Sequence, residues 1–568
     1  MHLRRFNSAM ESNVLQQIYS QEISKGEEVK ALFDKITIEP KKTQEELILK
    51  ILDDNKETEY GRKYDFASIK SIEEYRTRVP LTTFQDYTTY VEKMMDGERD
   101  ILTAYNTTHF ISSSGTSGKP KRIPFSEKYG ECISRYTMPI IINMLNSEGI
   151  LGSTRMQNIT QSFISTLPSG CTFGSIASIS MKKMESLLDF ISVPSYEILA
   201  PTTNFYSWYL HSFFALSDRE IAGTMCSFYS FYLTFICYVE TNWARLADDI
   251  ENGVLDPDEK IPTDLRERLQ AKIRPMPERA EQIRAVFREE EYQPLVPKLW
   301  PNHQFLIGIG SAVFQVYSEK LKLYFGNRVQ QLKLGLNSSE AIISIPVKMN
   351  DSRSVIIPDS AFYEFLPEGE TDFSKLLNID ELEEGKNYEL IITNLSGFYR
   401  YKIRDVVKVV GMYQNTPMIE FLYRADQTIN LVGEKTTEEM FRDAVKMATD
   451  EIGIDVVDYS IYPNSEITPV RYEFLIEPMN GLPEGFDKEV LRAKIDEKLA
   501  ITNPLLAYEQ RKGSLAPSKL LIIQEETNLL YRELVLYKGG NAVQTKPPRI
   551  LNQSWIKEFF YALQDDRY

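Results

Sequence analysis

Ile111-Ser-Ser-Ser-Gly-Thr-Ser-Gly-Lys-Pro-Lys-Arg122 is the most informative segment of the chain. It follows a short β-like run over residues 108–111. Gly115 and Gly118 permit tight turns in which backbone N–H groups point at one anion. Hydroxyl donors come from Ser113, Ser114, Thr116 and Ser117, and positive charge comes from Lys119, Lys121 and Arg122. The segment therefore predicts a loop that binds phosphate groups.

This loop is not a Walker A loop. Only two residues separate Gly115 from Gly118, which breaks the G-x-x-x-x-G-K-[ST] spacing. A flexible Ser/Gly surface loop is the alternative interpretation, since such loops are common.

Length and charge limit the classes of function. With 568 residues the chain is too long for one hydrophobic core. Hydrophobic residues make up 42% and charged residues 26%, an ordinary globular balance. The net charge of −16 repels nucleic acid phosphates and anionic lipid, so we expect neither nucleic acid nor membrane as a partner. A site for ATP, itself an anion, has to be locally positive.

Cysteine usage and hydropathy favour a cytoplasmic protein. The four cysteines form no CxxC pair and do not cluster with the histidines, so we expect no zinc site and no disulfide framework. No apolar run follows Arg4 and Arg5, and a signal peptide is not expected. Residues 221–239 carry no charge over nineteen positions. Their polar side chains and continued helical spacing favour a buried core helix over a membrane span.

The order of expected helices and strands along the chain predicts two domains. Helical patterns dominate the first hundred residues, including a capping box at Ser71-Ile-Glu-Glu74 and an apolar stripe over residues 47–52. Helices are also expected at residues 278–289, 312–324 and 488–499, with a cap at Thr436-Thr-Glu-Glu439. Short β-rich runs are expected at residues 305–309, 329–334, 341–347, 362–366, 388–393, 406–410, 459–462, 471–476 and 520–524.

This mixture predicts an α/β fold. We expect a large N-terminal domain, residues 1–423, that binds ATP and the acyl substrate, with β-sheets flanked by helices. A small, mobile α+β domain, residues 424–568, is expected to follow it.

Four segments resemble the motifs of the adenylate-forming superfamily, which includes acyl-CoA synthetases and luciferases. Ser113-Ser-Gly-Thr-Ser-Gly-Lys-Pro-Lys121 resembles its phosphate loop, and Asn337-Ser-Ser-Glu340 its glutamate-bearing motif. Tyr399-Arg-Tyr-Lys-Ile-Arg-Asp405 resembles the segment whose aspartate holds the ribose hydroxyls. Tyr423-Arg-Ala-Asp426, with Gly433-Glu-Lys435 and Glu438, resembles the hinge into the small domain.

The finer resemblance is to the bacterial-type branch of the Gretchen Hagen family of auxin-responsive acyl-acid amido synthetases, and it covers most of the chain. The further segments that carry it are Glu240-Thr-Asn-Trp-Ala-Arg-Leu-Ala-Asp-Asp-Ile, Leu299-Trp-Pro-Asn302, Phe362-Tyr-Glu-Phe-Leu-Pro367, Tyr388-Glu-Leu with Gly397-Phe-Tyr-Arg-Tyr401, and Gln544-Thr-Lys-Pro-Pro-Arg549. The resemblance implies a ligase, expected to be a monomer, that uses ATP and Mg²⁺ to join a small carboxylic acid to an amine such as an amino acid.

Roles follow for individual residues. Joining a carboxylate to the α-phosphate of ATP brings two anions together, so the site needs cations and oriented donors. Glu340 is a candidate Mg²⁺ ligand or water holder. Asp405 suits the two ribose hydroxyls, because an ionised carboxylate only accepts hydrogen bonds. The resemblance implies nucleotide contacts from Asn337, Ser338 and Ser339, and gives Lys435 and Lys546 as lysines that neutralise developing charge. Taken singly, each charged residue could instead be a solvated surface or turn residue.

At two places the roles known in the family cannot be transferred directly to this chain. Plant members of the family carry glycine just before the ribose-binding aspartate, where this chain has Arg404. The acyl pocket of relatives lies beside a long helix, expected here around residues 223–238. Phe228, Tyr229, Tyr232 and Phe235 are available to line that pocket, although ordinary core positions are the simpler interpretation of most of them.

Two other functions stay open from the sequence. A thioester-forming ligase acting on coenzyme A or a carrier thiol belongs to the same superfamily. A catalytically silent nucleotide-binding or scaffold protein would keep the fold without turnover. The intact hydroxyl loop, Glu340 and Asp405 count against the silent protein, and the signatures of the amide-forming family count against the thioester ligase.

Overall fold

A computed structural model describes residues 9–113, 121–150, 155–160, 162, 164–200, 207–310, 315–425, 429, 431–432, 434, 436–538, 546–551 and 553–568. Two compact units divide the chain. The first comprises Met1–Gly115, Lys119–Ile403 and Val407–Phe421, and the second comprises Thr116–Gly118, Arg404–Val406 and Leu422–Tyr568.

The first unit is rich in helices. They are α1 (Ala9–Ile36), α2 (Pro40–Asp54), α3 (Glu59–Lys63), α4 (Ile72–Arg78), α5 (Phe84–Met95), α6 (Glu127–Ser147), α7 (Ile176–Lys183), α8 (Glu185–Ile191), α9 (Tyr196–Leu199), α10 (Trp208–Ser217), α11 (Tyr229–Asn252), α12 (Thr263–Gln270), α13 (Pro277–Phe287), α14 (Leu295–Leu299) and α15 (Gln315–Phe325).

Strands β1 to β15 make three sheets. Their bounds are β1 (Thr107–Ser113), β2 (Lys121–Ser126), β3 (Met156–Ile159), β4 (Ile164–Thr166), β5 (Thr172–Gly174), β6 (Ser192–Val193), β7 (Gly223–Phe228), β8 (Phe305–Ile309), β9 (Gln330–Lys333), β10 (Ser344–Pro346), β11 (Ser354–Ile356), β12 (Ala361–Pro367), β13 (Asn387–Asn394), β14 (Tyr401–Tyr413) and β15 (Thr416–Arg424). The sheet orders are β2-β1-β5-β4, β6-β3-β7-β8-β9 and β10-β11-β15-β14-β13-β12.

The five-stranded sheet is parallel throughout, as expected where helices connect its strands. In the four-stranded sheet β1 is parallel to β5 and antiparallel to β2. The combination of a parallel sheet with helices confirms the predicted α/β class.

The second unit has its own sheet and core. Its elements are α16 (Glu438–Ile452), α17 (Lys488–Thr502), α18 (Pro504–Lys512), α19 (Thr527–Tyr537), α20 (Ser554–Ala562), β16 (Val456–Asn464), β17 (Arg471–Pro478) and β18 (Lys519–Ile522). Strand β17 lies between β16, which is antiparallel to it, and β18, which is parallel. Phe441, Phe474 and Leu491 are fully buried together in the core under this sheet.

The prediction of one helix over residues 221–239 was wrong. Residues Gly223–Phe228 form β7, between β3 and β8, and α11 begins only at Tyr229. A Cβ on Gly223 would lie 2.4 Å from the ring of Phe305, so glycine is required where these strands meet. A short strand buried on both faces lacks alternation and resembles a helix in sequence. Among the described residues no helix is long and apolar enough to cross a membrane.

Both predicted helix caps are present. Ser71 Oγ accepts the N–H of Glu74, as predicted, but the Glu74 carboxylate accepts from the N–H of Lys70. Helix α16 is capped by Thr437, within the predicted segment of residues 436–439. Thr436 instead pairs through its backbone with Ile429, which fixes the chain just before α16.

Candidate active site

Glu340 stands on a tight turn that its own motif builds. Asn337 and Ile342 form an antiparallel bridge across the turn. Ser338 Oγ accepts the N–H groups of Glu340 and Ala341 at 3.2 and 3.0 Å, so this hydroxyl is used within the turn. A Cβ on Gly335 would lie 2.2 Å from the carbonyl oxygen of Ser344. Glycine is therefore needed for the chain to enter the turn.

Two side chains hold the turn from outside. Asn394 donates to the carbonyl oxygen of Glu340 at 2.9 Å, and the Tyr129 hydroxyl donates to that of Ser338 at 3.1 Å. Glu340 is only 7% exposed. A buried carboxylate is costly unless it is paired or hydrogen-bonded, so this position is not that of a solvated surface charge.

Asp405 lies in a strand, not in a turn. It is on β14 and is 2% exposed, and its Oδ1 lies 2.9 Å from Nε of Arg424. The preceding residue, Arg404, has φ of +70°, in the left-handed region that favours glycine. Such a backbone suits glycine, the residue expected here in plant members of the family, and Arg404 adopts it in this chain.

Lys546 lies in a cluster of charges within the second unit. The segment from Lys546 to Leu551 runs beside β16, where the N–H of Ile461 donates to the carbonyl oxygen of Arg549 at 2.8 Å. The guanidinium of Arg549 pairs with Asp458 at 2.7 Å and with Glu438 at 3.4 Å. Arg549 also stacks on the Tyr459 ring at 3.9 Å, so the segment that carries Lys546 is firmly attached.

Desolvation lowers the pKa of Lys546 to about 8. Glu438 and Asp405 act in the opposite direction on this pKa, while Arg424 and Arg549 add to its lowering. Solvent reaches the Lys546 side chain, so partial desolvation by the surrounding protein, rather than complete enclosure, accounts for the shift. An ammonium with such a pKa is charged near neutrality and loses its charge in mildly alkaline solution.

Glu434 fixes the segment before α16. It is 1% exposed, and its carboxylate accepts the N–H groups of Leu431 and Val432, both at 2.8 Å, and the hydroxyl of Tyr472. Asn503 donates to the Glu434 carbonyl oxygen and to Thr436 Oγ1 at 2.9 and 3.0 Å. Both neighbours of Lys435 in the sequence are therefore held in place.

The predicted residues fall into three groups. In the first unit, Asn337, Ser338, Ser339 and Glu340 share one turn, and Ser113 ends β1. In the second unit, Asp405 and Lys546 belong to the same charged cluster. Ser114, Gly115, Thr116, Ser117 and Lys435 lie outside the described residues. Among the described residues no group of three or more His, Cys, Asp or Glu side chains could hold a metal ion by itself.

Most of the aromatic residues considered for the acyl pocket are ordinary core residues, as the simpler interpretation of the sequence expected. Tyr229, Tyr232 and Phe235 are fully buried on α11 and are core residues, while Phe228 ends β7. The sequence interpretation missed the structural roles of Arg424, Glu434 and Arg549. Each is within or beside a motif that was recognised, and an unexplained charge inside a recognised motif was the signal available.

Comparison with known proteins agrees with these motifs. Three domain models of one family match in order along the chain. They are the GH3 family N-terminal domain over residues 29–330, the central domain over 354–424, and the C-terminal domain over 439–554. The chain belongs to the GH3 family. The matches span most of its length and confirm the predicted resemblance to the Gretchen Hagen family.

Individual relatives can be aligned with nearly the whole chain. The probable indole-3-acetic acid-amido synthetase GH3.1 of Arabidopsis thaliana is 24% identical, over 97% of this chain and 96% of the relative. The 4-substituted benzoates-glutamate ligase GH3.12 of the same plant is 25% identical, over 91% and 94%. Among solved structures, GH3.15 acyl acid amido synthetase has a TM-score of 0.83 at 21% identity, covering 94% of this chain and 96% of that one. The GH3 fold is thus shared.

Proposed function

We propose that this protein is an ATP-dependent acid–amino acid ligase that works through an acyl-adenylate. A carboxylate oxygen attacks the α-phosphorus of ATP, and pyrophosphate leaves. The amine nitrogen then attacks the acyl carbonyl carbon, AMP leaves, the amine loses a proton, and an amide forms. Membership of the GH3 family over most of the chain is the observation that carries the proposal, and its curated relatives are named as amido synthetases and ligases.

Residue roles follow from the motifs and from their local geometry. We assign Ser113, Ser114, Gly115, Thr116 and Ser117 to the phosphates of ATP. Asp405 accepts from the ribose hydroxyls, and its ion pair with Arg424 orients the carboxylate. Lys435 and Lys546 neutralise negative charge during the two half-reactions.

The glutamate turn fits a role in holding magnesium. Mg²⁺ at nucleotide sites takes one or two carboxylates plus phosphate oxygens and water, and Glu340 supplies one buried carboxylate. When bound, the ion would offset charge on the phosphates. Ser338 contributes by holding the turn, because its hydroxyl is already used there, while Asn337 and Ser339 remain candidates for direct nucleotide contacts.

Further expectations remain part of this proposal. Cys132, Cys171, Cys226 and Cys237 are all free thiols, which supports a reducing, cytoplasmic location. We retain a monomer without nucleic acid or membrane partners, a domain boundary at residues 423 and 424 with a mobile small domain, and a place in the bacterial-type branch.

A pyrophosphate-release screen over carboxylic acids tests the proposal. Acid-dependent release should depend on a divalent ion and should fall by about a hundredfold or more in Glu340→Gln, in line with the loss of one electrostatic contact at a developing charge. Thermal unfolding of that variant checks that it folds. Release by wild type without any divalent ion would contradict the magnesium assignment, and no acid-dependent release from any acid class would contradict the reaction.

A further inference from the structure

Arg122 is a partly buried arginine whose charge has no partner among the described residues. Its Nη1 is buried and makes no hydrogen bond there. Burial lowers the pKa of its guanidinium, and no neighbouring carboxylate offsets this effect. A desolvated cation without a counter-charge is unfavourable, so the position suggests a counter-ion supplied from outside the chain.

Two other buried arginines show how this fold satisfies a structural guanidinium. Arg279 donates to the carbonyl oxygens of Leu216 and Leu299 at 2.6 and 2.9 Å. Arg400 pairs with both carboxylate oxygens of Glu364 at 3.0 Å. Within the described part of the chain, Arg122 has neither carbonyl oxygens nor a carboxylate as partners, which distinguishes it from these two structural arginines.

Arg122 is held in place by an aromatic ring instead. Its guanidinium carbon lies 3.8 Å from the centre of the Phe173 ring on β5. Because Arg122 is on β2 and β1 lies between β2 and β5, the side chain reaches across β1 to make this contact. Stacking covers one face of the planar group and orients it, while Arg122 as a whole keeps partial exposure through which an anion can approach.

The location relates this cation to the phosphate loop. Ser113 pairs with Lys121 and Ser112 pairs with Arg122, so Arg122 is one residue beyond the pair at which residues 114–120 begin and end. Strands β1 and β5 are parallel and end at this edge of the sheet. Helix α7 follows directly after β5, with no acidic residue in its first turn. Ligands of α/β sheets bind at the carboxyl ends of strands.

We propose that Arg122 binds the β- and γ-phosphates of ATP, and hence the pyrophosphate leaving group, with Phe173 as the surface that orients it. This inference rests on the proposed function and adds a substrate-contacting residue to it. A phosphate oxygen pair matches the guanidinium edge and supplies the counter-charge that the described residues lack. A second carboxylate on the acid or the amino acid is the other source of the same chemistry.

Binding of ATP and of AMP to Arg122→Ala tests the inference, because AMP lacks the two phosphates in question. Calorimetry with Mg²⁺ present should show ATP bound about tenfold or more weakly, a factor that corresponds to ~1.4 kcal/mol. AMP should bind as in wild type, which also shows that the variant is folded. Arg122→Lys and Phe173→Leu should each lose part of this ATP affinity. The lysine keeps the positive charge but cannot stack on the ring, and the leucine leaves Arg122 charged but without the ring that orients it.

Arg62→Ala is the matched control. Arg62 is an exposed arginine 3.4 Å from Glu57, and its removal changes the net charge equally. Equal affinity of wild type and Arg122→Ala for ATP, or equal losses for ATP and AMP, would overturn the assignment. A raised KM confined to the acid or the amino acid would assign Arg122 to a substrate carboxylate instead. Failure of wild type to bind either nucleotide would contradict the proposed function rather than the role of Arg122.

Discussion

The charge of Lys546 is expected to set the alkaline limit of the adenylation step. With a pKa of about 8, its ammonium is about 90% protonated at pH 7 and about 10% protonated at pH 9. If only the charged form neutralises the phosphates, the rate falls about tenfold over this interval as pH rises through the folded-state pKa. Replacement by arginine keeps a cation at every pH used, so Lys546→Arg should lose this decline.

Acid-dependent pyrophosphate release, measured without any amine, isolates this step from titration of the amino-acid substrate. Arg424 lowers the pKa of Lys546, so Arg424→Gln should move the midpoint of the decline to higher pH. Lys446→Arg is a control on an exposed lysine paired with Asp450, and it should leave the profile unchanged. A wild-type rate that is level between pH 7 and 9, or the same decline in Lys546→Arg, would refute the reasoning.

Three further substitutions test how the site is held. Asp405→Asn weakens the 2.9 Å pair with Arg424 and should cost roughly 1–3 kcal/mol in urea unfolding, together with weaker ATP binding; unchanged stability and ATP affinity would contradict both roles. Glu434→Gln loses charge-assisted bonds to two backbone N–H groups and should lower the free energy of unfolding by about 1–3 kcal/mol and slow turnover; full activity would show that the segment does not need this support. Gly335→Ala forces a Cβ to within 2.2 Å of a carbonyl oxygen and should abolish adenylation through the Glu340 turn, whereas wild-type rates would show that the turn adapts.

The sequence predicted the fold class and most strands because hydrophobic runs and turn residues agree with each other locally. Residues 305–309 form β8 as expected, and those at 362–366 lie within β12. The error at β7 arose because a strand enclosed between two parallel strands leaves no periodic signal, and its continuation into α11 extended the apolar run.

For the candidate site, motifs located residues but not their partners. Glu340 and Asp405 were recognised from short segments. The ion pair between Asp405 and Arg424 joins residues on two different strands, so it could be seen only once the pairing of those strands was known. The same pair means that Asp405 supports stability as well as any ribose contact. The pKa of Lys546 depends first on desolvation and then on four charged residues distributed from position 405 to 549, which no local pattern indicates.

Identification of the product by mass spectrometry tests the central claim most directly. The purified protein would be incubated with ATP, Mg²⁺, a panel of carboxylic acids, and either amino acids or coenzyme A. We expect AMP, pyrophosphate and an acyl–amino acid amide whose mass equals that of acid plus amino acid less water. An acyl thioester formed with coenzyme A and no amide with any amino acid would contradict the assignment as an acid–amino acid ligase.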